Sequence, residues 1–265
     1  MKQNGELWNK RINRILIDFG FKRTKSDPCI YVKIEINSGK TLVGLFVDDI
    51  LYAATNIGLM KKFEEHIASR VRKVSLLGEV KKFLGMEITR DRAKRTITLT
   101  QTDYIKELIK TENVTTKANT PARSSIELLE IPPGELPPMR SIVGKCRYPA
   151  DRCHPGTLYI MSTLGSVQIK PAEEHLKAAK RVVEYLHKAL EEGITLGGTD
   201  PIKLEAFVDA SLRGIHAQLG LCLRLSKDAA MILSRSIKDG NISFSTTEAE
   251  LRAFVAGVFE VLWAR

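Results

Sequence analysis

The 265-residue sequence contains no run of about 18 apolar residues, so no membrane-spanning helix is expected. Lys2-Gln-Asn-Gly-Glu6 follows Met1 in place of an apolar stretch, so no signal peptide is expected either. Cysteine is scarce. Cys29, Cys146, Cys153 and Cys222 are too few and too scattered for a disulfide framework. They read as reduced thiols of an intracellular protein. With 10 prolines and 18 glycines the chain is not collagen-like, and at 43% hydrophobic residues it is not a disordered one. It has no glycine-rich phosphate loop and no Ser/His/Asp arrangement. Cys146, Cys153 and His154 lack Cys-x-x-Cys spacing and an evident fourth ligand, so zinc is not expected.

What is present is positive charge. Lys and Arg number 41 against 31 Asp and Glu, a net +10. Residues 1–110 hold 22 basic and 13 acidic side chains, and residues 111–265 hold 19 and 18. A basic first part on a near-neutral second part points to a polyanion partner or to a merely solvated basic surface.

Hydrophobic periodicity predicts a helix over 6–19, with Trp8, Ile12, Ile15, Leu16 and Phe19 on one face. Strands follow at 29–36, 42–47 and 50–54, then a helix capped by Thr55 or Asn56. A hairpin over 82–89 and 96–100, with a basic connection, leads to a helix over 102–110. Five of the prolines fall in 111–140, which reads as a linker. The stretch 141–168 reads as irregular, because Pro149 and its charged neighbours suit a helix poorly. A helix is expected over 172–192, strands over 203–209, 218–225 and 231–236, and a last helix from Thr246. Ser245 and Glu248 have the Ser-x-x-Glu spacing of a capping box. His66, His175 and His187 read as surface side chains. Tyr52, Tyr104 and Tyr148 are candidates for stacking on bases or for ordinary packing.

The sharpest local feature is Asp48-Asp49 between the apolar runs 42–47 and 50–54. Adjacent carboxylates repel, and each is costly to bury without a partner. One reading is an exposed hairpin turn, although neither residue is the Gly or Asn that tight turns prefer. The other is a divalent-cation site, since Mg²⁺ takes hard oxygen ligands and keeps substrate phosphates as further ligands.

Phe46-Val-Asp-Asp-Ile50 resembles the palm hairpin of reverse transcriptases. Trp8-Asn-Lys-Arg-Ile12, Gly20-Phe-Lys22, Ser26-Asp-Pro28, Leu77-Gly-Glu79 and Lys82-Phe-Leu-Gly-Met-Glu-Ile88 narrow the likeness to copia-type LTR retrotransposon Pol polyproteins. Thr120-Pro121, Arg140-Ser-Ile-Val-Gly144, Glu174-His175, Tyr185-Leu186 and Ser245-Thr-Thr-Glu-Ala-Glu250 continue it in the same order.

The resemblance implies an α+β fold: the rear of a polymerase palm over 1–110, the Pro-rich linker 111–140, a helical connection 141–195, and a truncated RNase H-like domain 196–265. It implies RNA-directed DNA synthesis by the parent protein, with cleavage of the RNA strand of the RNA–DNA hybrid. The cofactor would be Mg²⁺, or Mn²⁺ in its place, and the partners an RNA template, the hybrid and dNTP.

Carried over by position, Asp48 and Asp49 are catalytic metal ligands of the palm, and Leu84-Gly85 lies in the segment that holds the primer terminus. Lys81, Lys82, Arg90, Arg92, Lys94 and Arg95 would face template–primer phosphate or form a solvated basic turn. Asp209 matches the first RNase H acid. Glu248 fits the cap, and Glu250, directed toward the sheet and Asp209, is the implied second acid, the alternative being a surface glutamate in the first helical turn, where the dipole favours it. A third palm Asp and further RNase H acids are expected to lie outside these 265 residues. The chain alone is therefore expected to be inactive, the alternative being a noncatalytic nucleic-acid-binding remnant of a retroelement.

Overall fold

The computed structural model describes residues 2–264 apart from 124–130, 133, 135, 137, 138 and 228. Helices and mostly antiparallel sheets alternate irregularly, an α+β chain. It forms two compact units, residues 1–79 and 80–265. Among the described residues no helix is long and apolar enough to cross a membrane.

In the first unit, α1 (Lys2–Asp18) is followed by strands β1 (Lys22–Arg23), β2 (Ile30–Glu35), β3 (Gly39–Phe46) and β4 (Asp49–Ala54), then by α2 (Ile57–Arg70). The strands form one antiparallel meander in the order β1-β2-β3-β4. Ile12, Ile15 and Leu16 of α1 and Phe63 and Ile67 of α2 bury against Tyr31, Val43 and Leu45 of the sheet. Apolar side chains thus recur at helical spacing on one edge of the core and alternate along strands on the other. Asn56 caps α2, its side chain accepting from the Leu59 amide at 3.0 Å.

The second unit begins with β5 (Lys82–Phe83), β6 (Met86–Asp91) and β7 (Thr96–Thr100), then α3 (Thr102–Thr111). The hairpin β6–β7 does not close the first unit. It pairs with β8 (Gly193–Gly197), almost a hundred residues on, in a sheet ordered β5-β6-β7-β8. The contact boundary therefore falls after Glu79 rather than at 110, and it divides the charge evenly. Residues 1–79 carry 14 basic and 9 acidic side chains, and 80–265 carry 27 and 22. Gly193 and Gly197 sit where a Cβ would collide with the carbonyl oxygens of Leu99 and Arg95. These glycines allow β8 to approach β7.

The stretch 141–168 is helical, contrary to the irregular reading drawn from Pro149 and its charged neighbours: α4 (Arg140–Arg152), one 3₁₀ turn (Pro155–Thr157) and α5 (Leu158–Val167). Pro149 lies inside α4. It cannot donate to the Lys145 carbonyl four residues back, and the hydroxyl of Tyr104 on α3 donates there instead, at 2.9 Å. With that carbonyl satisfied, Ile142, Val143, Cys146 and Ala150 bury against Ile105, Leu108, Leu164 and Val183 in a four-helix core. Its fourth helix is α6 (Glu173–Lys188). His175, expected at the surface, is buried there, its Nδ1 accepting from the Ala172 amide at 2.8 Å at the start of α6.

The 111–140 linker is described in part, and Pro133, Pro137 and Pro138 lie outside the described residues. Its first portion is docked rather than loose. Val114 and Ala118 are buried, and Thr116 and Thr120 bond Glu184 and Arg181 of α6.

The chain continues as an antiparallel sheet of β9 (Glu205–Arg213), β10 (His216–Arg224) and β11 (Met231–Ile242), then α7 (Thr246–Ala264). The small residues Ala249, Ala253 and Gly257 form the buried stripe of α7, and Gly257 meets Val208 and Leu221 of the sheet.

Candidate metal-binding hairpin and its neighbours

Strands β3 and β4 pair without interruption from Thr41–Ala54 to Phe46–Asp49. The two-residue loop is therefore Val47-Asp48, one position earlier than an Asp-Asp turn would be. Asp49 opens β4 and spends its backbone on the ladder. Val47 has φ 54°, a left-handed conformation that a β-branched residue rarely adopts. Such backbone strain is worth on the order of 1–3 kcal/mol. The Trp8 indole of α1 donates from Nε1 to the Val47 carbonyl at 2.8 Å. Asp48 and Asp49 are both exposed. Buried apolar residues of β3 thus hold two adjacent carboxylates in solvent at the tip of a two-residue hairpin.

The remaining sequence-predicted residues of the polymerase part lie in the second unit. Leu84 (φ 51°) and Gly85 (φ 75°) are the loop of the β5–β6 hairpin, both left-handed as a type I′ turn requires. The Tyr148 hydroxyl of α4 donates to the Leu84 carbonyl. Lys81 accepts the Ile88 amide through its carbonyl. Lys82 Nζ donates to Asp103 at 2.9 Å and lies 3.8 Å from Glu87, and the Asp103 carboxylate raises its pKa. This pair is exposed and is screened by solvent, so Lys82 keeps a surface position from which a phosphate can be reached. Glu87 has a structural task that sequence reasoning missed. It accepts the amides of Thr102 and Asp103 at the start of α3, where Gln101 supplies no cap. Arg90, Arg92 and Arg95 line an open cavity of about 350 Å³ with Thr96 and Ile97.

The three tyrosines are structural. Tyr52 donates to Glu64 at 2.6 Å and its phenol is pushed up to about 12 by burial and by that carboxylate. Tyr104 and Tyr148 meet edge to face with centroids 5.1 Å apart, each hydroxyl spent on a backbone carbonyl.

Asp209 and Glu250 are both exposed, and the sheet separates them. Val208 is the β9 residue that meets α7. Alternation turns Asp209 to the opposite face, with Gln218, whose amide donates to Ser162 of α5 at 3.1 Å. The expected convergence of Glu250 on Asp209 is therefore not found. A helix places Glu250 by its period and a strand places Asp209 by parity, and only their packing sets the two in phase. Glu248 does cap α7: it accepts the Phe244 amide at 2.9 Å, and the Ser245 hydroxyl accepts the Glu248 amide at 3.1 Å. It also holds Arg252 at 2.8 Å, which reaches Asp239 at 3.2 Å. The Glu248–Arg252 spacing of four was legible in the sequence, whereas Asp239 joins only through the sheet.

Among the described residues no cluster of three or more His, Cys, Asp or Glu side chains is placed to hold a metal. Burial pushes the Cys146 thiol up to about 12 and that of Cys153 up to about 11, which keeps both protonated and poor metal ligands.

Residues 1–125 match the family described as reverse transcriptase (RNA-dependent DNA polymerase). The chain is 26% identical over 280 residues to the retrovirus-related Pol polyprotein from transposon TNT 1-94 of Nicotiana tabacum, with 100% of this chain and 21% of that protein covered. It is 28% identical over 269 residues to a putative transposon Ty5-1 protein of Saccharomyces cerevisiae, covering 98% of this chain and 86% of that one. It is 28% identical over 277 residues to the Pol polyprotein from transposon RE1 of Arabidopsis thaliana, covering 99% of this chain and 18% of that one. Among solved structures it is similar to a foamy viral protease-reverse transcriptase in complex with RNA/DNA hybrid. The TM-score there is 0.46 at 19% identity, with 83% of this chain and 28% of that one covered. The chain spans about a fifth of the two plant polyproteins. The likeness to retrotransposon Pol polyproteins read from the motifs holds along the chain, and its first 125 residues are similar to the reverse transcriptase family.

Proposed function

We propose that this chain is the part of a retrotransposon Pol polyprotein that carries the metal-binding hairpin of an RNA-directed DNA polymerase. One observation carries this reading: two adjacent exposed carboxylates at the tip of a tight apolar hairpin, within the residues that match reverse transcriptases. Exposed carboxylates with coordination sites open to water and phosphate fit Mg²⁺, or Mn²⁺ in its place. Asp48 and Asp49 would hold the ion. Bound there, an ion would supply neutralising charge for the phosphates of an incoming nucleotide. The strands β3 and β4 keep the two carboxylates from separating. Lys81, Lys82 and the Leu84-Gly85 turn serve the nucleic-acid strand through phosphate contact and close backbone approach. For cleavage of the hybrid's RNA strand, Asp209 and Glu250 form no assembled pair, and the proposal rests on the polymerase hairpin.

A second reading, a noncatalytic nucleic-acid-binding remnant, is favoured by the Arg90–Arg92–Arg95 group at the end of the β6–β7 hairpin.

Mn²⁺ titration of the full chain, followed by paramagnetic broadening of amide resonances, tests the first reading. Broadening centred on Val47–Ile50 that disappears in Asp48→Asn/Asp49→Asn is the expected result. Broadening elsewhere, or unchanged by the substitutions, overturns it. RNA–DNA hybrid binding that survives the double substitution and needs no divalent ion supports the remnant.

A further inference from the structure

We infer that Trp8 is the positioning residue of the Asp48–Asp49 hairpin, an inference that rests on the metal-binding reading of that hairpin. Trp8 lies one helical turn before Ile12, on the face of α1 that enters the core, and its ring packs against that core. A tryptophan there needs no further explanation as an apolar side chain. Its N–H is directed specifically: the indole nitrogen is a donor only, and in this solvent-exposed bond it donates to a protein carbonyl where water could have served. The acceptor is a loop carbonyl 39 residues away, that of Val47.

That carbonyl belongs to the peptide joining Val47 to Asp48. Its orientation sets the ψ of Val47 and the φ of Asp48, and so the direction in which Asp48 leaves the hairpin. Val47 is also the strained residue of the loop, left-handed although β-branched. Without a restraint on its carbonyl, the peptide relaxes toward conformations that a valine prefers. The Trp8 bond is that restraint, and its base is firm. Ile12 and Leu16 are almost fully buried, the Tyr31 hydroxyl donates to Asn13 at 2.8 Å, and Arg11 reaches the Arg70 carbonyl at 3.0 Å. α1 is thereby fastened to the sheet and to α2, and Trp8 carries that fixed position to the metal-binding turn.

Trp8→Phe in the full chain tests this, because it keeps the ring and removes the N–H. Two readouts are expected to move while the thermal transition remains cooperative. The Mn²⁺ affinity of the hairpin falls by about three- to tenfold, the range of one net hydrogen bond. The strong intraresidue HN–Hα contact of Val47, the mark of its positive φ, weakens. In a Val47→Gly background the strain is absent, and Trp8→Phe is expected to change Mn²⁺ affinity little. Unchanged affinity together with an unchanged Val47 contact in Trp8→Phe overturns the inference. A wild-type chain that binds no Mn²⁺ at the turn overturns the proposed function instead, and the Val47 contact still decides the role of Trp8. If Trp8→Phe fails to fold, exchange of the indole N–H in the wild type decides. Protection relative to the exposed Trp263 supports the bond, and equal exchange refutes it.

Discussion

The Tyr104 hydroxyl donates at 2.9 Å to the Lys145 carbonyl, the one group in α4 that Pro149 leaves without a helical donor. A side chain on one helix thus repairs the backbone of another, and a proline that would otherwise end α4 is carried through it.

Tyr104→Phe is expected to destabilise the chain by about 1–2 kcal/mol, the loss of a hydrogen bond that leaves a half-buried acceptor unsatisfied. The edge-to-face contact with Tyr148 is retained in that variant. Pro149→Ala restores the backbone donor. In that background Tyr104→Phe is expected to have a clearly smaller effect. Urea unfolding of the four proteins gives the coupling energy. A coupling near zero contradicts the repair.

His154 sets a pH dependence. It is only 5% exposed, its Nε2 has no hydrogen-bond partner among the described residues, and burial lowers its pKa from 6.5 to about 4. Between those values the unfolded chain binds the proton and the folded chain does not. Stability from this group is therefore full above pH 6.5 and declines as pH falls toward 4, by about 3 kcal/mol in all. Melting curves of wild type and His154→Gln across that window check it. The two proteins should differ in the slope of stability against pH, and parallel slopes contradict the assignment.

Gly257 is a packing residue. A Cβ there would lie 2.5 Å from Val208 Cγ1, so Gly257→Ala is expected to destabilise by about 1–3 kcal/mol in spite of alanine's better helix propensity. Val208→Ala removes the obstruction. The Gly257→Ala/Val208→Ala double variant should be more stable than the sum of the single effects, as read by thermal melting.

Neutralising the hairpin separates function from stability. Asp48 and Asp49 are exposed and adjacent, so Asp48→Asn/Asp49→Asn removes like-charge repulsion without emptying any packed space. The expected change in stability is within about 0.5 kcal/mol of zero. Mn²⁺ binding is expected to be lost. A destabilisation of several kcal/mol would mean that the carboxylates serve the fold.

Short-range signals were legible in the sequence. The Trp8, Ile12, Leu16, Phe19 spacing marked α1, the Ser245–Glu248 spacing marked the start of α7, and the apolar runs around Asp48-Asp49 marked the hairpin. Each of these rests on residues within one or two turns of one another, where chain geometry alone decides who can meet. The likeness to retrotransposon Pol polyproteins was legible too, because it is carried by the order of motifs rather than by their packing. Tertiary structure decided the rest. α4 survives Pro149 because of a tyrosine 45 residues earlier. β8 is a strand because two glycines let it reach β7. Asp209 turns away from Glu250 because Val208 occupies the face that packs on α7. In all three cases the deciding partner is remote in sequence. Periodicity shows which side of an element is apolar, but only the assembled core determines which element covers that side.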